Sequence, residues 1–544
     1  MPNPHIMTLF WICQQFGGAK KKWNTLHHMG VIFPPEYVPH NIPITYNGKK
    51  IILNPEAEEA ATFYAKFIGT EYTTKSKFNK NFWNDWKKLL DDETEIKSLD
   101  GVDFTEIINH LNKIKEDKSN IPKTDKDSEK EQRAKEEAPY KIAIIDGKEE
   151  PVGNFRVEPP GLFLGRGDNP KLGKIKSRIY PEDVTLNLSS DAPVPPTLPG
   201  HHWGQIINDK TVDWLASWKD TITGKTKYVW LGAHSEKKGK NDMAKFDLAR
   251  KLKKKINTIR TENNTNMQNN SPSIKQVATA VYLIDTFALR VGNEKGEDET
   301  DTVGVTSLRV EHITLLENNI IKLDFLGKDS VRYLNVVAVD PIVYKNLDEF
   351  TKNKNEDDKL FDLISTSDVN KYLQGFMKDL TAKVFRTYNA SYLFYKELQK
   401  VSNNPKLNEF SETEKLKYLL DEFNKANLKV AKKMNHQKNV TKSFKTQIDK
   451  INDSIKELQK QLNSGVTPAK RDNIKKKIKT LKLKKQVKSE TKNISLGTSK
   501  VNYIDPRITA SFIIKHNIPK EKLFTKALLD KFKWAFDVDE NYKF

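Results

Sequence analysis

Apolar residues along this chain follow different rhythms, and the changes of rhythm mark its divisions. In residues 441–490, Phe444, Ile448, Ile451, Ile455, Leu458 and Leu462 are spaced 4, 3, 4, 3, 4, which is a heptad seam. Asn463-Ser464-Gly465 and Pro468 interrupt it, and Ile474, Ile478 and Leu481 begin a second seam. The pattern predicts an antiparallel helical hairpin with arms of roughly 25–30 Å at 1.5 Å per residue. Residues 139–235 read differently, as short β-rich runs punctuated by Pro and Gly at 140–145, 159–163, 184–188, 193–199 and 227–231. Before them, Glu58, Phe63 and Phe67, and the run Phe78, Phe82, Trp83 and Trp86, read as helical faces. Residues 115–138 are almost wholly charged, a solvated helix or a connector.

Residues 242–265 predict a basic helix carrying Lys251, Lys253, Lys254 and Lys255. Residues 274–440 read as mostly helical, with one β-hairpin near 320–338. Val277, Val281, Ile284 and Ala288 form one apolar stripe, ending at Arg290 before the stop signal Gly292-Asn293. Phe376, Leu380 and Val384 form another. The expected fold class is α+β and multidomain. Its parts are a short leader at 1–19, a mixed α/β region at 20–235, a mainly helical region at 236–440, a basic helical hairpin at 441–490 and a compact aromatic segment at 491–544.

Composition sharpens this. With 544 residues the chain has room for about three to four domains. It carries 92 Lys+Arg against 72 Asp+Glu, a formal +20, which favours a polyanionic partner: DNA, RNA or an anionic membrane surface. Residues 441–494 hold 16 Lys+Arg against 5 Asp+Glu, a net +11, so over half the excess sits on the hairpin. The single cysteine, Cys13, excludes an internal disulfide framework and a Cys-cluster zinc site. No run approaches the roughly 18 apolar residues that cross a membrane. Residues 6–13 make a poor signal peptide, and with no arginine before Arg133 a transit peptide is poor too.

The common chemical motifs are missing. There is no phosphate-binding G-x-x-x-x-G-K-[ST] loop, so nothing implies ATP, and no metal-ligand spacing, so no metal is expected. His27-His28 and His201-His202 sit in polar, turn-like contexts and read as surface histidines. Five local sequences remain. They are Ala288-Leu289-Arg290-Val291-Gly292-Asn293-Glu294-Lys295, Phe325-Leu326-Gly327-Lys328-Asp329-Ser330, Thr381-Ala382-Lys383-Val384-Phe385-Arg386-Thr387-Tyr388-Asn389, Met434-Asn435-His436-Gln437, and Thr498-Ser499-Lys500-Val501-Asn502-Tyr503-Ile504-Asp505-Pro506-Arg507. Alternation of Leu323 and Phe325 with Val331 and Tyr333 puts Lys328 at a hairpin tip. Taken singly, Arg290 and Arg386 read as surface ion pairs, Lys328 as a solvated turn residue, His436 as a satisfied histidine and Tyr503 as core.

In this order the five segments resemble the type IB DNA topoisomerases of the eukaryotic nuclear kind. The resemblance runs from about Lys20 to Phe544 and includes Glu158-Pro159-Pro160-Gly161-Leu162-Phe163, Gly165-Arg166-Gly167, Asp301-Thr302-Val303-Gly304 and Ser307-Leu308-Arg309-Val310-Glu311-His312. It implies a clamp. Residues 20–235 are its DNA-binding jaw, 236–440 its catalytic core, 441–490 a coiled-coil linker and 491–544 the C-terminal domain with the catalytic tyrosine. It implies transesterification by Tyr503 through a 3′-phosphotyrosine, helped by Arg290, Lys328, Arg386 and His436, with no cofactor and no metal. Arg166, Asp329 and Asn502 match family positions lining the camptothecin pocket, so sensitivity to that drug is expected. The implied partner is double-stranded DNA, held with little sequence preference by basic residues such as Lys251, Lys253 and Lys254. A monomer in the nucleus is expected, although the long charged tail usual before the match is absent from this sequence.

The rivals are a tyrosine recombinase, which uses a similar Arg/Lys/Arg/His/Tyr set, and a non-catalytic DNA-binding protein. The long N-terminal region, the linker and the Ser499–Tyr503 context argue against the first. All five positions hold the expected residue type, which argues against the second.

Overall fold

The computed structural model describes residues 21–293, 299–438, 440, 443–464, 467–490 and 492–544. The expected leader with Cys13, and also Glu294, Lys295 and Gly465, lie outside the described residues. The chain divides into two compact units of mixed helix and sheet, one from Met1–Lys240 with Gly296–Thr300, the other from Asn241–Lys295 with Asp301–Phe544.

The first unit has two cores. One is aromatic. Asn54 caps the helix Pro55–Ala65 by accepting from the Ala57 N–H, with Pro55 in the first turn where its missing donor costs nothing. The next helix, Ser76–Trp86, buries Phe78, Phe82 and Trp86, and Tyr64 stacks on Phe82 with ring centres 4.2 Å apart. Glu58, read from the sequence as part of a helical face, is fully buried. Its Oε1 accepts from the Tyr37 hydroxyl at 2.6 Å and the His40 N–H at 2.8 Å, which ties this buried polar group to the neighbouring loop. The other core lies against two sheets. Leu26–His28, Ile142–Ile145 and Lys148–Pro151 pair antiparallel. Gln205–Ile207, Thr185–Asn187, Ala216–Lys219 and Thr226–Val229 form a four-stranded sheet in that order.

Several sequence expectations are corrected here. His27 and His28 lie on a strand, not in a turn, and His28 is buried, its Nε2 3.0 Å from the Asn187 carbonyl. Residues 193–199 form no strand. The charged stretch, by contrast, is helical as one of its two readings had it: it falls on the helices Thr105–Asn120 and Lys123–Glu137, exposed throughout 112–120 and 123–136, while Ile107 in the first turn is buried.

The second unit is built on the helix Pro272–Phe287, which is buried over most of its surface, at Val277, Val281, Leu283 and Ile284 and also at the polar Gln276, Thr279 and Asp285. The helices Ala382–Ser402 and Glu412–Lys433 share its core with Ile508 and Phe512 of the helix Pro506–Lys515. The expected hairpin is the longer part of a three-stranded antiparallel sheet, Ile313–Leu316, Ile320–Gly327 and Val331–Ala338. Phe376, Leu380 and Val384 do not share a helix. One helix ends at Phe376, Asp379 takes a left-handed conformation, and a new helix begins at Ala382.

The helices Ser443–Asn463 and Pro468–Glu490 pack through Ile451, Ile455, Ile474 and Ile478, flanked by Leu458, Leu462 and Leu481. Their 21 and 23 residues span about 31 and 35 Å, longer than the sequence estimate. Among the described residues no helix is long and apolar enough to cross a membrane.

Candidate active site

One cleft of the second unit collects Arg290, Lys328, Arg386 and His436, four of the five residues singled out above, together with Asp329. Each arrives on a different element.

Arg290 follows the helix Pro272–Phe287, which stops because Ala288 turns left-handed. The sequence placed it at the helix end, whereas it lies three residues beyond, exposed on an extended segment. That segment is held by backbone. The Arg290 carbonyl accepts from the Val305 N–H at 2.9 Å, and the Val291 carbonyl from the Thr306 N–H at 2.7 Å. Gly292 and Gly304 cross so closely that a Cβ on Gly304 would lie 2.4 Å from the Gly292 Cα, so only glycine fits.

Lys328 stands exposed at the tip of the hairpin, where Asp329 and Ser330 both take positive φ. Phe325 and Tyr333 stack below the tip at 5.2 Å, and Arg332 grips Asp324 with two bonds of 2.7 Å. The side chains of Asn435 and Gln437 each donate to the Arg332 carbonyl at 3.2 Å. The lysine hairpin is therefore tied to the segment that carries His436.

Arg386 is buried near the start of the helix Ala382–Ser402. It donates through Nη1 to the Ala288 carbonyl and through Nη2 to the Met434 carbonyl at 3.2 Å. Its Nε is a buried donor with no partner among the described residues. Burial, then the neighbouring Arg290 charge, pulls its pKa down to about 10. A buried guanidinium with a spare donor is an arrangement that an anion would complete.

His436 is held by its backbone. Its N–H donates to the Ala431 carbonyl at 2.9 Å, and its carbonyl accepts from Ser495 at 2.8 Å. Its Nδ1 lies 2.8 Å from the Ser499 hydroxyl, while Nε2 is buried without a partner among the described residues. Burial, then the charges of Arg386 and Arg290, lowers its pKa to about 3, so the ring is neutral at physiological pH.

Tyr503 meets the cleft through two of its wall residues. Its ring lies 5.1 Å from the His436 ring and 5.1 Å from the Arg386 guanidinium carbon. Burial pushes its phenol pKa up, but the charges of Arg386 and Arg290 outweigh burial and the net direction is down. It directly follows the helix Leu496–Asn502, and its N–H donates to the Ser499 carbonyl at 2.9 Å. Buried Ser391, on the Arg386 helix, donates to the Tyr503 carbonyl and accepts from the Asp505 N–H, each at 2.9 Å. Beyond it, Asp505 is fully buried and paired with Arg507.

The remaining candidates are dispersed. Asn502 is exposed at the end of the tyrosine helix, its amide donating to the Thr498 carbonyl at 3.2 Å. Arg166 is exposed in the first unit, between Gly165 and Gly167, both at positive φ. Of the three lysines read as DNA contacts, Lys251 and Lys254 are exposed, but Lys253 is occupied inside the protein. Its ammonium lies 5.4 and 5.3 Å from the rings of Tyr392 and Tyr395 and donates to the Phe544 carbonyl. Among the described residues no cluster of His, Cys, Asp and Glu could hold a metal ion. Sequence reasoning missed the roles of Ser391, Asn435, Gln437 and Ser499. Three of these lie inside the quoted segments, whereas Ser391 carries no local signal.

Comparison with known proteins adds a second line of evidence. Sequence models described as the DNA-binding fragment of eukaryotic DNA topoisomerase I, its catalytic core and the C-terminal topoisomerase domain match residues 21–231, 234–467 and 475–544. The chain is 43% identical to DNA topoisomerase 1 beta of Arabidopsis thaliana, with 97% of this chain and 60% of that protein aligned. It is 40% identical to DNA topoisomerase 1 of Candidozyma auris, covering 98% and 85%. With DNA topoisomerase 1 of Homo sapiens the identity is 41%, covering 96% and 72%. The chain thus spans about 60% of the length of the Arabidopsis relatives it matches.

Proposed function

The chain belongs to the eukaryotic DNA topoisomerase I family, and from that premise we propose that it relaxes positive and negative supercoils as a type IB enzyme. The observation that carries this reading is the convergence of Arg290, Lys328, Arg386 and His436 on one cleft, with Tyr503 against Arg386 and His436.

The Tyr503 oxygen attacks a DNA phosphorus and forms a P–O bond as the bond to the 5′-oxygen breaks. The phenol proton passes to solvent. Lys328 delivers a proton to the leaving 5′-oxygen. Arg290 and Arg386 take the charge that grows on the non-bridging oxygens, and His436 donates to one of them. Rotation about the intact strand then removes twist, and the 5′-hydroxyl reseals the nick. One phosphodiester replaces another, so the exchange is nearly isoenergetic and no ATP is needed. Cationic side chains do the phosphate-neutralising work, so no metal is obligatory in this scheme.

Double-stranded DNA is the partner, held by a monomeric clamp. In this reading residues 20–235 form the jaw, 236–440 the catalytic core, 441–490 a basic coiled-coil linker and 491–544 the tyrosine domain. Lys251, Lys254 and the linker lysines contact phosphates, which gives sequence-tolerant binding. The match of Arg166, Asp329 and Asn502 to family positions supports camptothecin sensitivity, and the enzyme works in the nucleus. The test is plasmid relaxation without ATP or Mg²⁺, comparing the wild type with Tyr503→Phe. Relaxation by the wild type and none by the variant is expected. Equal relaxation by both would reject the mechanism, and a demand for paired specific sites would favour a recombinase.

A further inference from the structure

Ser499 is a fully buried hydroxyl one turn before Tyr503, and the proposed chemistry gives it no part. Its Oγ lies 2.8 Å from His436 Nδ1. Among the described residues this hydroxyl meets no other acceptor, so the imidazole is the one group there that can take its proton. A neutral imidazole accepting at Nδ1 must carry its own proton on Nε2. Nε2 is the buried, unpartnered atom of a residue on the cleft wall, where a phosphate oxygen would complete it.

We propose that Ser499 is a positioning residue: its hydroxyl locks His436 as the Nε2–H tautomer and fixes the ring plane, so that a neutral donor is already in place for the non-bridging oxygen. This deepens the topoisomerase reading and rests on it. The placement also has a mechanical sense. The Ser499 carbonyl accepts from the Tyr503 N–H at 2.9 Å and from the Ile504 N–H at 3.0 Å, so one residue sets the backbone of the nucleophile and the tautomer of the donor. His436 itself is pinned by Ala431 and Ser495, which leaves ring rotation as the freedom that Ser499 removes.

Two measurements decide it. The first is the ¹⁵N spectrum of histidine-labelled wild-type protein at pH 7, with the His436 signals identified by their loss in His436→Gln. A protonated Nε2 and a bare Nδ1 are expected; an Nδ1–H tautomer or an imidazolium overturns the proposal. The second is single-turnover cleavage of a duplex oligonucleotide by Ser499→Ala, alone and combined with His436→Ala. Alone, it should slow cleavage about five- to tenfold, the worth of one well-placed hydrogen bond, with DNA affinity unchanged. On top of His436→Ala it should change nothing further, because its effect passes through the ring. An equal loss in both backgrounds, or none in either, overturns the proposal. If the wild type forms no covalent DNA complex, the topoisomerase reading falls, and the tautomer measurement still decides the state of the ring.

Discussion

Arg386 donates to the carbonyl of Met434 at 3.2 Å, two residues before His436, and its other terminal nitrogen holds the carbonyl of Ala288, two residues before Arg290. One guanidinium thus spaces the segments that carry the other arginine and the histidine. Lysine keeps the charge but has no planar fork, so it cannot hold both carbonyls and still face a phosphate. Arg386→Lys is expected to cut single-turnover cleavage by about 10²–10³-fold. It should also lower stability by about 1–3 kcal/mol, since one buried carbonyl loses its donor. Cleavage rates and urea unfolding measure the two effects. Wild-type cleavage by this variant would mean that the fork has no role.

Lys328 sits at a hairpin tip whose Arg332 carbonyl is gripped by Asn435 and Gln437. If it is the acid for the leaving 5′-oxygen, its loss should vanish when the leaving atom needs no proton. Lys328→Ala is expected to slow cleavage of ordinary DNA by about 10²–10⁴-fold. A 5′-bridging phosphorothiolate substrate, which expels a thiolate of much lower proton affinity, should restore most of that rate. Arg290→Ala should stay slow on the sulfur substrate, because its work is on the non-bridging oxygens. Failure of sulfur to rescue Lys328→Ala would remove Lys328 from the acid role.

Features set by short-range periodicity were legible in the sequence. The heptad seam gave both helices of the basic pair, and alternation around Lys328 gave the hairpin and its tip. Periodicity also misled. Phe376, Leu380 and Val384 keep helical spacing across a gap where Asp379 turns left-handed and Thr381 stands at the N-cap of a new helix, and the apolar spacing overrode those two short polar signals. Long-range partners were invisible. Nothing local to Ser391 says that it will bridge Tyr503 and Asp505, and nothing local to Lys253 says that two tyrosine rings and Phe544 will claim it. The five candidate residues came from ordered segments read together, because each alone has an ordinary structural explanation.

The crossing of Gly292 and Gly304 supplies a prediction about the Arg290 segment. A Cβ on Gly304 would lie 2.4 Å from the Gly292 Cα and 2.8 Å from the Arg290 carbonyl oxygen, both backbone atoms with no rotamer to yield. Gly304→Ala should therefore cost about 1–3 kcal/mol and push the Arg290 segment out of place, slowing cleavage as well. Gly375→Ala is the comparison, since nothing lies within 4 Å of its added Cβ at an exposed helical position. It should stabilise by about 0.5–1 kcal/mol, as alanine does in helices. Thermal melts of the pair test the claim; equal Tm values would show that the crossing has slack.

Acid should weaken this protein through its buried histidines. Burial lowers the pKa of His28 to about 4, of His436 to about 3 and of His516 to about 4. For His28 the backbone bonds from Asn187 and Leu215 pull the other way without winning, whereas for His436 the two arginines add to burial. The unfolded chain has ordinary histidines, with pKa near 6.5. Between about pH 6.5 and the folded values, the unfolded state binds protons that the folded state refuses, so stability rises with pH across that window. Read downward, stability is full above about pH 6.5 and is lost progressively as pH falls toward 4. Each such histidine adds a slope of up to about 1.4 kcal/mol per pH unit. His28 belongs to the first unit and His436 and His516 to the second, so both units should soften. Urea unfolding at intervals from pH 7.5 to 4.5 measures the slope. His436→Gln, which cannot take up the proton, should flatten it for the second unit alone. A pH-independent midpoint in the wild type, or an unchanged slope in the variant, would show that His436 does not stay neutral in the folded state.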